Sequence, residues 1–114
     1  MDKLTTYPQV IRDILTKHVE LNHRHSTSEL ETFLIVDETK AHYMWMNVGW
    51  QQGERVTGCT VYVRILEGKF WIEEDWTEDG IANELVEAGV PKEDIVLVFH
   101  EPQMRQYTGF AIAS

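Results

Sequence analysis

The chain has 114 residues, with 10 Lys and Arg against 19 Asp and Glu for a net charge of −9, and 43% of it is hydrophobic. That length and composition describe one globular domain over residues 1–114 and exclude a disordered chain. The acidity excludes the basic footprint of an autonomous nucleic-acid binder, and the single cysteine, Cys59, excludes an internal disulfide framework or a cysteine-built zinc site.

The first element is a helix. Leu4, Tyr7, Ile11, Ile14 and His18 recur at helical spacing, and Val10, Leu15 and Val19 widen the stripe. Pro8 suits a first turn, where its missing N–H costs nothing. The pattern fades near Asn22, and the polar run 23–28 reads as a loop. The opening residues are polar and charged with no apolar signal core, so a soluble cytoplasmic protein away from membranes is expected.

Strands come next. Residues 30–37 are rich in β-branched and aromatic side chains, and 37–40 read as a turn. A second strand spans 42–50 and turns at 51–54. A third alternates over 56–66, with Cys59, Val61, Val63 and Ile65 on one face and Thr60, Tyr62 and Arg64 on the other. Glu67-Gly68 is a tight hairpin signal leading to a fourth strand over 69–74. Such short connections predict an antiparallel meander.

A second helix is expected with Thr77 as N-cap, Glu78 and Asp79 at the positive end of its dipole, and Gly89 just past its C-terminus. Ile95 to Phe99 reads as a brief extended run, and Met104, Tyr107, Phe110 and Ile112 make the tail too apolar to stay in water. The resulting fold is α+β: an N-terminal helix, a four-stranded antiparallel β-meander, a second helix and a C-terminal tail packed on the sheet. Tyr43, Trp45 and Tyr62 are expected on the face opposite Met44, Met46, Val61 and Val63. Both faces then need cover, from the two helices and tail or from a second subunit, and a homodimer is the favoured reading.

Charge is unevenly spread. Residues 1–57 carry −2 and residues 58–114 carry −7, and between Glu73 and Glu101 ten acids stand against one base, Lys92. Glu73, Glu74 and Asp75 end a strand, and Glu78 and Asp79 follow at the helix start. The plain reading is a solvated face with favourable dipole placement; the functional ones are a Mg²⁺ site or contact with a basic partner.

Other clusters read as structural. Glu67-Gly68-Lys69 resembles the acid-x-lysine pair of metal nucleases, but on a hairpin turn these side chains diverge into water. His23 and His25, with His18 five residues earlier, would need a further ligand and supporting partners to make a catalytic zinc site, and Arg24 between them repels a cation. His100, close in sequence to Arg105 and Tyr107, has no evident nucleophile or orienting acid. Cys59 is expected on the apolar side of its strand, buried and inert.

Taken in order, residues 77–86 and 89–97, with Phe99-His100, Pro102, Arg105-Gln106-Tyr107-Thr108 and Phe110-Ala111, resemble the XisI family. Val48-Gly49-Trp50, Arg55-Val56, Gly58-Cys59 and Lys69-Phe70-Trp71-Ile72 match upstream, so the likeness runs over nearly the whole chain. The chain departs from the family pattern at Trp76, Val98 and Gly109. The resemblance implies a controlling factor for excision of the fdxN DNA element, known mainly from cyanobacteria, acting beside a nuclease-like XisH protein and a separate recombinase. It supplies no catalytic residues.

These observations lead to a non-enzymatic regulator that uses no cofactor or metal and works by contact with an XisH-like protein, without binding nucleic acid directly. The candidate contact residues are Glu73, Glu74, Asp75, Glu78, Asp79, His100, Arg105 and Tyr107. The alternative is a small enzyme with a pocket built from His100, Arg105 and the acids near Asp75.

Overall fold

A computed structural model describes residues 3–25, 29–100 and 109–111. Helix α1 (Lys3–His25) leads into strands β1 (Glu29–Asp37), β2 (His42–Gln51), β3 (Glu54–Leu66) and β4 (Lys69–Asp75). Helix α2 (Ile81–Glu87), a 3₁₀ turn (Lys92–Asp94) and strand β5 (Ile95–Leu97) follow.

The sheet runs in the order β1-β2-β3-β4-β5. Its first four strands are the expected antiparallel meander. The expectation of four strands falls short by one: Ile95–Leu97 pairs parallel with β4, Phe70 opposite Ile95 and Ile72 opposite Leu97. A strand that returns through a crossover helix enters parallel, and α2 is that crossover. Beyond it, Ala111 bridges Val96 and donates its N–H to the Ile95 carbonyl. Phe110 packs against the core, while Met104, Tyr107 and Ile112 lie outside the described residues.

Both helices pack on one face of the sheet. Tyr7, Ile11, Leu15 and Val19 of α1 and Ile81, Ala82 and Leu85 of α2 form one core with Tyr43, Trp45, Val61, Val63, Phe70 and Ile72. This corrects the expected placement of Tyr43 and Trp45. Trp45 pairs with Val61 and Tyr43 with Val63, so all four side chains share the helix-covered face, and Tyr62 lies opposite Met44 on the other. The cause is a bulge at Thr60, which shifts the register between Trp45 and Met46. One inserted residue flips everything beyond it. Cys59 therefore sits opposite Met46, only partly buried, on the face opposite the Val61 side chain, with its Sγ donating to the Val61 carbonyl at 3.0 Å. Burial, and then the charge of Glu74, raises its thiol pKa.

Two helix boundaries also differ from expectation. α1 continues through His23 to His25 because His23 Nε2 hydrogen-bonds the Thr32 carbonyl on β1; residues 26–28 lie outside the described set. α2 begins at Ile81, not after Thr77. Gly80 adopts φ 87°, a left-handed conformation that interrupts any helix started earlier. Thr77 is thus no N-cap, and Glu78 and Asp79 precede the helix; the acid of its first turn is Glu84.

Candidate functional site

The junction between β4 and α2 is built around Asp75. Its Oδ1 accepts hydrogen bonds from the Thr77 N–H and hydroxyl, and its Oδ2 accepts one from the Ile81 N–H at 2.7 Å. The last bond satisfies a helix-terminal donor that has no partner within α2. Thr77 Oγ1 in turn accepts from the Gly80 N–H. Asp75 is consumed by this scaffold, which sets the shape of the loop between strand and helix.

That loop pushes Trp76 outward. Its backbone N–H donates to the Thr60 carbonyl at 2.9 Å, while its side chain is 78% exposed. Glu78 and Asp79 follow, both exposed. Together they form one lip of a cleft of about 910 Å³ whose floor includes Trp45 and Thr60. The opposite side is an interhelical pair: His18 Nε2 of α1 lies 2.7 Å from Glu84 Oε2 of α2, and the imidazole stacks on the Trp45 ring at 5.3 Å. Glu87 and Lys92 complete the rim.

Beneath the floor, a hydrogen-bonded row crosses three strands. Thr32 Oγ1 donates to Asn47 Oδ1, and Asn47 Nδ2 donates to Thr60 Oγ1 at 2.6 Å. Trp45 Nε1 is buried and has no acceptor among the described residues, which costs stability at this point. The cleft's charge is dominated by Glu78, Asp79, Glu84 and Glu87 against Lys92. A cationic side chain entering it meets carboxylates and an exposed indole face, the two groups that hold guanidinium or ammonium most strongly.

The sequence-derived candidates divide accordingly. Glu78 and Asp79 stand together at the cleft, and neither side chain makes an ion pair among the described residues. Glu73 is held by Arg64 Nε at 3.1 Å, and Glu74 is exposed opposite Tyr62 on the uncovered sheet face. His100 is exposed on the turn after β5, its ring against Phe99 at 4.7 Å, and does not line the cleft. Arg105 and Tyr107 lie outside the described residues. A smaller groove of about 320 Å³ gathers Glu73, Glu74, Asp75, Trp76 and Phe99, again without His100. Among the described residues, no three His, Cys, Asp or Glu side chains are grouped closely enough to hold a metal ion.

Sequence reasoning missed His18, Trp45, Glu84 and Trp76 as parts of one site. His18 and Glu84 are 66 residues apart, so no local spacing announces their pairing. Only Trp76 left a trace, as a large residue in a polar, acidic stretch.

The sequence model of the XisI protein family matches residues 1–112. The chain belongs to the XisI family. Two solved structures from Anabaena variabilis share its fold. An XisI-like protein is 39% identical over 96% of this chain and 99% of its own, with a TM-score of 0.89. The fdxN element excision controlling factor XisI is 41% identical over 98% of this chain and all of its own, with a TM-score of 0.82. No curated protein matches the chain. The XisI fold is therefore the two helices and mixed five-stranded sheet described above, over nearly the full length of each chain. Among the described residues of this XisI-family chain, no helix is long and apolar enough to cross a membrane.

Proposed function

We propose that the chain is a controlling factor for excision of a DNA element, working by contact with a basic, XisH-like protein and not by catalysis. Family membership supports the regulatory role. One observation carries the contact surface: an indole 78% exposed beside the exposed carboxylates of Glu78 and Asp79, at the mouth of an acidic cleft. A solvent-facing tryptophan has no folding role to explain it, and tryptophan is the residue most enriched where binding energy concentrates. The carboxylates around it speed encounter with a basic surface and select for it.

The small-enzyme reading draws less support. Of the acids near Asp75, Asp75 itself spends both carboxylate oxygens on the β4–α2 junction and Glu73 is paired with Arg64, and His100 lines neither acidic groove. Binding kinetics against an XisH-like protein test the proposal, with Trp76→Ala and the Glu78→Lys/Asp79→Lys pair as variants. Slower association for the charge variant and faster dissociation for the tryptophan variant support it. Unchanged kinetics in folded variants place the contact elsewhere.

A further inference from the structure

A second cavity, of about 520 Å³, shares no lining residue with the acidic cleft. It lies where the first turns of α1 meet the β1–β2 and β3–β4 hairpins. Pro8, Ala41 and Ile65 supply apolar walls, and the Ile65 N–H donates to the Ala41 carbonyl at 3.0 Å, holding the β1–β2 turn to β3. Arg12 and Glu38 form an ion pair at 2.6 Å on the rim, and Glu67 lines it from the β3–β4 turn. The size is that of a small-molecule site.

Tyr43 gives this cavity a chemical demand. Its side chain is 1% exposed, and its hydroxyl has no hydrogen-bond partner among the described residues. A buried phenol normally finds one. Phenylalanine would fill the same place in the core, so packing does not account for the oxygen. Burial raises the phenol pKa; Arg12 lowers it and Glu38 raises it by lesser amounts. The hydroxyl is thus the end of the ring within reach of those two rim charges, and at neutral pH it is a protonated donor without an acceptor.

Arg12 supplies the second half of the site. A guanidinium carries five N–H donors in a planar fork, and Glu38 Oε1 meets this one at Nη2. Among the described residues no other carboxylate pairs with it. Glu38 is 67% exposed in the turn between β1 and β2, so its side chain can swing away without disturbing the core. A phenol donor and a guanidinium fork beside apolar walls suit a carboxylate attached to an apolar body. Charge limits the ligand to one negative group: Glu38 and Glu67 against Arg12 leave the lining at −1, which repels a phosphate dianion more than a monoanion. We propose that this cavity binds a small monocarboxylate, held by Tyr43 Oη and by Arg12 in place of Glu38. The site is independent of the partner contact at the acidic cleft.

The test is an NMR titration of the full chain, isotope-labelled on its tyrosine rings and arginine side chains, with phenylacetate. Phenylacetamide, which keeps the apolar body without the charge, and inorganic phosphate are the comparison probes. Phenylacetate is expected to shift the Tyr43 ring and Arg12 Nε–H signals saturably, with the other two binding roughly tenfold more weakly or worse. Tyr43→Phe removes no internal hydrogen bond, so it is expected to keep its urea midpoint while weakening phenylacetate binding by about tenfold or more. Glu38→Gln frees the guanidinium and is expected to tighten phenylacetate binding roughly threefold or more, a gain that a merely structural ion pair does not give. Should Tyr43→Phe unfold by circular dichroism, Arg12→Gln, at a side chain 42% exposed on α1, carries the same expected loss. No saturable shift with phenylacetate, equal binding of phenylacetamide or phosphate, or a folded Tyr43→Phe or Arg12→Gln variant that binds like the parent overturns the proposal. Trp76→Ala leaves this binding unchanged, so failure here is separable from failure of the partner assignment.

Discussion

Tyr7 Oη donates a 2.6 Å hydrogen bond to Asp94 Oδ2, joining the first turns of α1 to the 3₁₀ turn ahead of β5 across 87 residues of sequence. Both residues are buried, at 2% and 5% exposure, and the Tyr7 ring stacks on Phe70 at 4.7 Å. The bond locks the N-terminal helix to the parallel edge of the sheet. The Tyr7 hydroxyl pKa is pushed up to about 12, first by burial, then by the hydrogen bond to Asp94 and the charges of Asp94 and Glu93.

This linkage has a definite sign. Unfolded, the phenol ionises near its ordinary value of 10; folded, it holds its proton to about 12. Tyr7 therefore contributes its full stabilisation below pH 10 and loses it as pH rises through 12, because the unfolded chain releases the proton first. The loss is on the order of 2 kcal/mol over that window. Tyr7→Phe is expected to cost about 1–3 kcal/mol at neutral pH, since it removes a donor from a buried carboxylate. The difference in urea stability between parent and variant should shrink between pH 10 and 12. A constant difference across that range contradicts the assignment.

Gly49 is the position where backbone geometry tolerates least. It pairs with Leu30 in the β1–β2 ladder at φ 147°, and a Cβ there would stand 2.3 Å from the Glu29 carbonyl oxygen. Backbone on a neighbouring strand cannot swing aside as a side chain can. Gly49→Ala is expected to destabilise by more than about 2 kcal/mol. Exchange protection should fall at the Glu29 end of β1 first, and a variant as stable as the parent rules this reading out.

The pair between His18 and Glu84 looks more important than it is to folding. Its side chains are 28% and 32% exposed, so water screens much of the attraction. Glu84→Gln is expected to cost under about 1 kcal/mol in a urea titration. A larger loss means that the pair, and not the apolar contact beneath it, holds α1 to α2.

Periodicity carried much of the fold. The α1 stripe of Tyr7, Ile11, Leu15 and Val19 and the alternation of Val61, Val63 and Ile65 are local signals, and the burial pattern follows them. What alternation could not reveal was the extra residue at Thr60, because a bulge leaves composition unchanged while reversing the faces of Cys59 and Val61. Strand β5 was visible as an apolar run, but its parallel pairing depends on the path of α2 and not on the run itself. The acidic loop was legible as charge. That Asp75 is structural while Glu78 and Asp79 face the cleft depends on hydrogen bonds to Thr77 and Ile81 that no spacing rule supplies.

The lip of the cleft separates rate from residence time. Glu78 and Asp79 are exposed and stand in the loop before α2, so reversing both to lysine should change stability by no more than about 0.5 kcal/mol. Reversal shifts the charge by +4 on a surface proposed to attract a basic partner, so association should slow at low salt. Its dependence on ionic strength should flatten as the long-range attraction disappears. Trp76→Ala acts differently. The indole is 78% exposed and its only described hydrogen bond is through the backbone N–H, so its removal leaves the fold intact. If the ring is an anchor in the complex, truncation should speed dissociation, raising the dissociation constant at least tenfold with little change in association rate. Surface binding kinetics at two salt concentrations distinguish the two effects. Should the charge variant slow association equally at low and high salt, steering is not its cause; should Trp76→Ala leave dissociation unchanged, the anchor lies on another surface.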